Sequence, residues 1–123
     1  MTILDTNPII RYFRDDVPEQ RKRVEQLFNS KEELFIPDVV FGELEYVFQK
    51  QYSISKEQFL QIAQFLLSLP QVQVSLQMGR ALQLYEGVSL SIVDCIVIEQ
   101  ARGQKLASFD RKLLRHCHSP YWE

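Results

Sequence analysis

Met1-Thr2-Ile3-Leu4-Asp5-Thr6-Asn7-Pro8 is the stretch whose reading decides the fold class. Ile3 and Leu4 form a short apolar strand that runs straight into Asp5-Thr6-Asn7-Pro8, where a capping residue followed by proline announces a helix. Strand followed at once by helix then recurs down the chain. Ile9, Ile10, Tyr12 and Phe13 make a compact helical turn or two, and Pro18 opens a second helix with Val24, Leu27 and Phe28 at helical spacing. Leu34-Phe35-Ile36 reads as a buried strand closed by Pro37, with Asp38 placed to cap the next helix. Two helices are predicted over 39 to about 51 and 55 to 69, the latter begun by the capping box Ser55-x-x-Gln58. A brief strand at Val72 and Val74, a helix from Leu76 to Glu86 stopped by Gly87, and an almost wholly apolar helix over 91 to 102 ending at Gly103 follow. Leu106, Ala107 and Phe109 form the last predicted strand, and Asp110 begins a basic helix. The tail Ser119-Pro120-Tyr121-Trp122-Glu123 is expected to extend a sheet edge or contact a partner.

Strands separated by helices, with no Asn-Gly hairpin signal between them, argue for an α/β fold with a parallel sheet and helices on both faces. The length of 123 residues, with 46% hydrophobic and 24% charged residues, suits a single domain over 1–123 and excludes disordered or disulfide-scaffold classes. Such a chain needs no metal to fold, so any metal would serve chemistry. Cys95 lies in an apolar run and Cys117 between two histidines, without the paired spacing of a secreted framework. With no signal-like N-terminus and no apolar run near ~20 residues, the expected location is the cytoplasm.

Net charge is -2 but unevenly spread. Residues 1–31 carry six basic and five acidic groups, 32–101 three basic and nine acidic, and 102–118 five basic against Asp110 alone. A basic rim around an acidic middle suits a site that holds cations and approaches phosphates, although solvated helix faces give the same pattern.

In parallel α/β sheets ligands bind beyond the carboxyl ends of the strands, where Asp5 and Asp110 are both predicted to stand. Each alone also reads as an ordinary helix cap. Two further acids fall on apolar helix arcs. With Val39 at zero and about 100° per residue, Glu43 lies near 40° among Val47, Val40 and Leu44; with Ile92 at zero, Asp94 lies near 200° between Ala101 and Ile98. Inward carboxylates need a cation, a metal or a shifted pKa. Those arcs offer no inward basic residue, so four converging carboxylates would require hard divalent ions such as Mg²⁺ or Mn²⁺.

Leu4-Asp5-Thr6-Asn7-Pro8, Phe41-Gly42-Glu43-Leu44, Leu90-Ser91-Ile92-Val93-Asp94-Cys95-Ile96 and Ser108-Phe109-Asp110-Arg111, in that order, resemble the PIN-domain nucleases, in particular the VapC-type toxins of bacterial toxin-antitoxin pairs. The resemblance covers nearly the whole chain. It implies a PIN-like three-layer fold with a short parallel sheet of four to five strands, and an acidic quartet at Asp5, Glu43, Asp94 and Asp110 with Thr6, Asn7 and Ser108 as polar neighbours. It further implies a Mg²⁺- or Mn²⁺-dependent endoribonuclease acting on RNA, held as a homodimer and inhibited by a cognate antitoxin. Arg11, Arg14, Arg111, Lys112 and Arg115 are candidates for phosphate contacts, and the helix pair 39–69 for a docking surface. Glu99 stands where such proteins usually show a small apolar residue; the wheel puts it on the polar side beside Arg102, facing solvent. Cys95 is expected in the core, and His116-Cys117-His118 is read as exposed tail rather than a soft-metal site.

Two other classes compete. A receiver domain or aspartate-nucleophile phosphatase also has an Asp after its first strand, but the phosphatase wants a second Asp where Asn7 stands, and the receiver wants a late-strand Lys where the chain has Ser108 and Asp110. A catalytically inactive PIN-like module that binds RNA or protein is the other alternative.

Overall fold

A computed structural model describes residues 1–122, so Glu123 and its share of the tail reading lie outside the described residues. The chain groups into two compact units, Met1–Val74 and the residues from Ser75 onward.

In the first unit, β1 (Thr2–Ile3), α1 (Thr6–Arg14), α2 (Pro18–Phe28), β2 (Leu34–Phe35), α3 (Asp38–Tyr52), α4 (Lys56–Ser68) and β3 (Val72–Gln73) alternate as the residue pattern predicts. The strands form one parallel sheet in the order β1-β2-β3, with Thr2 opposite Leu34 and Leu34 opposite Val72. Each strand is joined to the next by a pair of helices, the long crossover that parallel neighbours require. Backbone bonds from Leu4 N to Phe35 O (2.9 Å) and from Ile36 N to Gln73 O (3.0 Å) carry the pairing to the point where the helices begin. Leu4, Leu34 and Ile36 are buried together with Ile9, Phe41, Leu44, Phe48, Phe59 and Leu66, which anchors these short strands beneath the helices. An aromatic cluster of Tyr12, Phe13, Phe28, Phe48 and Phe65 reinforces them, Tyr12 and Phe65 stacking at 5.5 Å.

Local signals set the helix starts. Ser55 accepts from Gln58 N while the Gln58 side chain accepts from Ser55 N, the reciprocal capping box predicted for α4. Asp38 departs from its predicted capping role: it is the first residue of α3, Pro37 holds the cap position, and Val40 N bonds to Pro37 O instead.

The second unit comprises α5 (Leu76–Gly87), α6 (Ile92–Gln100) and the short α7 (Arg111–Leu114). Ser75 and Ser91 cap α5 and α6 by accepting from Met78 N and Asp94 N. These two helices pack together, burying Met78, Leu82, Tyr85, Ile92, Cys95 and Ile98. Gly103, at φ 78°, takes the left-handed turn after α6 that a side chain would strain.

The sheet is smaller than the four to five strands expected. Among the described residues it has three. The stretch 106–109 makes a single parallel bridge between Leu106 and Pro120, because Ser108 Oγ accepts from Asp110 N and turns the chain into α7 before a ladder can form. The tail therefore does not extend the sheet edge: its one bridge joins Pro120 to Leu106, outside the three-stranded sheet. Among the described residues no helix is long and apolar enough to cross a membrane.

Candidate functional site

Asp5 occupies the N-cap position of α1 in extended conformation (φ -86°, ψ 173°), yet its side chain accepts no capping hydrogen bond. Its exposed carboxylate is therefore not spent on the helix it introduces. The next residue, Thr6, is 7% exposed, and its Oγ1 is buried with no hydrogen-bond partner. A buried hydroxyl without a partner costs about 1–3 kcal/mol, so the start of α1 holds a polar atom unsatisfied beside an uncommitted acid. Asn7 is exposed.

Asp110 is the converse case. Its Oδ1 accepts from Lys112 N at 3.0 Å and Leu113 N at 3.1 Å, so this acid caps α7 in full. Ser108 does not donate to that carboxylate, as the polar-neighbour role would require; its hydroxyl accepts from the Asp110 backbone instead.

Glu43 does not face the core as the helical wheel predicts, because Val39, on the same side of α3, is 65% exposed. The buried arc of α3 is Val40, Phe41, Leu44, Glu45 and Phe48, centred well over 100° from Glu43. Glu43 is accordingly exposed and Glu45 is buried in its stead. In α6 the buried arc runs through Ile92, Cys95, Ile96, Ile98 and Glu99, leaving Asp94 half-buried at its edge.

Glu99, expected in solvent, is 7% exposed. Arg102 makes this burial affordable, with Nε 3.1 Å from Oε1 and Nη2 3.0 Å from Oε2. Hydrogen bonding to Glu99, then its charge, raises the Arg102 pKa above the usual arginine value. The inward base that seemed missing from this helix thus sits just beyond its end. Its signal was the i, i+3 spacing of an acid and an arginine.

Among the phosphate-contact candidates, Arg11 is held by Asp16 (3.1 Å) and Arg14 lies 4.0 Å over the Tyr52 ring, so both are engaged within the first unit. Arg111, Lys112 and Arg115 are exposed on and after α7. Cys95 is buried, as expected, and Cys117 half-buried between exposed histidines. Within the helix pair proposed for docking, Phe48, Ile54, Gln58 and Ile62 line an open cleft of about 310 Å³ together with Phe13 and Arg14.

Asp5 and Glu43 belong to the first unit, Asp94 and Asp110 to the second, so neither unit alone carries three of the four. Among the described residues no group of three or more His, Cys, Asp and Glu side chains could hold a metal ion. Asp5, with a carboxylate uncommitted to its helix and the orphaned Thr6 hydroxyl next to it in sequence, is an oxygen donor of the kind hard divalent cations take.

No curated protein matches the chain. A family model does, and its span runs through both units: residues 2–118 match the PIN domain, whose members are typically metal-dependent nucleases, and the chain belongs to the PIN domain family.

Proposed function

We propose that the chain is an endoribonuclease that uses Mg²⁺ or Mn²⁺ held by Asp5, Asp94 and Asp110, with Glu43 either a further ligand or the acceptor of the proton from the attacking water. The observation that supports it is Asp5, an acid at the mouth of a parallel strand whose carboxylate plays no part in capping its helix. Divalent ions bound there would lower the pKa of water and neutralise charge on the phosphodiester. Glu43 is exposed, so its carboxylate is open to a bound ion or to the attacking water. Thr6 Oγ1 would orient the Asp5 carboxylate, and Arg111, Lys112 and Arg115 would draw the RNA backbone to α7. The resemblance to VapC-type proteins extends the reading to a cytoplasmic, homodimeric toxin silenced by a cognate antitoxin, which would dock on the α3–α4 face.

The test is cleavage of a labelled RNA by the wild type, Asp5→Asn and Asp94→Asn in Mg²⁺, Mn²⁺ and EDTA, alongside growth after expression. Metal-dependent cleavage and growth arrest, both lost in the two variants, are expected; cleavage retained in both overturns the assignment. One observation favours a second reading, a PIN module that binds RNA without cutting it: the described residues hold no ready group of three metal-binding side chains. RNA binding in EDTA with no cleavage in either metal would select it.

A further inference from the structure

The C-terminal tail builds an aromatic stack on the surface of the second unit. Leu106 N bonds to Ser119 O and Tyr121 N to Leu106 O, both at 2.8 Å, and this clamp sets the tail parallel to the segment that leads into α7. Trp122 consequently lies over Phe109, ring centroids 4.6 Å apart and planes within 9°, with Tyr121 edge-on to Trp122 at 5.2 Å. The stack is not core. Phe109 is 83% exposed and Trp122 48%, so each ring uses one face on the other and leaves aromatic surface to water.

Phe109, Trp122 and Tyr121 form one contiguous exposed aromatic group, an arrangement that can receive a flat ligand. Its surroundings indicate which: Lys105 Nζ sits 5.8 Å over the Tyr121 ring, and exposed Arg111, Lys112 and Arg115 follow directly, giving residues 102–118 five cations against Asp110 alone. Flat aromatic faces interleaved with cations are how single-stranded nucleic acid is gripped, bases stacking while phosphates meet the charges. We infer that the Phe109–Trp122 stack is a base-stacking platform for an unpaired nucleobase of single-stranded RNA, with Arg111, Lys112 and Arg115 on its phosphates. The inference rests on the ribonuclease reading above and adds to it a binding element, the aromatic platform of the tail. Phe109 immediately precedes Asp110, so the platform is next in sequence to one of the acids assigned to the metal. Duplex RNA keeps its bases stacked internally and has none to offer.

Trp122 is the sole tryptophan, so its emission reports on the platform directly. In EDTA, titrating the full chain with a short unstructured RNA should quench that emission to saturation, while the same RNA annealed to its complement should not. Phe109→Leu, at a position too exposed to disturb the core, should weaken single-strand binding roughly tenfold; Trp122→Leu, followed by anisotropy of labelled RNA, should do the same. Emission unchanged by RNA, equal quenching by duplex, or wild-type affinity in both variants would overturn the platform. Cleavage in Mg²⁺ or Mn²⁺ is scored separately: cleavage without quenching overturns the platform alone, and quenching lost in Phe109→Leu without any cleavage supports the platform while the nuclease reading falls.

Discussion

Arg102 binds the buried carboxylate of Glu99 through two parallel hydrogen bonds of 3.1 and 3.0 Å, closing the end of α6. A guanidinium in this fork geometry satisfies both carboxylate oxygens at once. Arg102→Ala should therefore destabilise the protein more than Glu99→Met, because the first strands a buried charge and the second replaces it with apolar bulk. Urea unfolding of the two variants ranks them; the opposite order would mean that Glu99 is not dependent on its partner. Since Glu99 raises the Arg102 pKa, the guanidinium stays charged below the ordinary arginine range and the contribution fades only above it. The difference between the variants should be flat from neutral pH to mild alkali.

Asp5 and Asp110 both precede helices, but only Asp110 caps one. Asp110→Ala should cost about 1 kcal/mol of stability, the usual loss for an N-cap. Asp5→Ala should change stability by no more than about 0.5 kcal/mol, as for a surface site without such a feature. Both should abolish cleavage. A stability loss in Asp5→Ala equal to that in Asp110→Ala would assign Asp5 to the fold.

Ser55 and Gln58 exchange hydrogen bonds at the start of α4, a helix that buries Phe59, Ile62, Ala63 and Leu66. Ser55→Ala should lower stability by about 1 kcal/mol while leaving RNA cleavage intact, as measured by denaturant midpoint and by single-turnover cleavage.

The helix read as running to Gly103 ends at Gln100, whereas the capping box and the proline at the start of α2 were legible because each is a local rule that depends on a few neighbouring residues. The strand at 106–109 was not, since its apolar residues answer to distant ones: Phe109 stacks on Trp122 in solvent, and Ser108 bonds the turn rather than a ladder. Glu43 and Glu99 were misread for the same reason. A helical wheel gives relative angles, but which arc is buried depends on what packs against it, and an exposed Val39 or an Arg102 beyond the helix end moves that arc. Which acid pairs, which caps and which does neither was visible only residue by residue in space: Glu99 pairs with Arg102, Asp110 caps α7, and Asp5 caps nothing.

Thr6 supplies the sharpest separation between fold and function. Its Oγ1 is buried and unpartnered, so Thr6→Val, nearly the same shape without the hydroxyl, should stabilise the protein by about 1 kcal/mol in EDTA. A divalent ion that binds only the folded site raises the melting temperature by mass action, and the wild type should gain more from millimolar Mn²⁺ than Thr6→Val does if the hydroxyl steadies Asp5. The variant should then melt higher than wild type without metal and cleave RNA more slowly with it. Thermal scans with and without Mn²⁺ check the first half and cleavage rates the second. A Thr6→Val protein that is less stable in EDTA would show the hydroxyl to be satisfied within the fold, and one that cleaves at the wild-type rate would remove Thr6 from the site while leaving Asp5 in it.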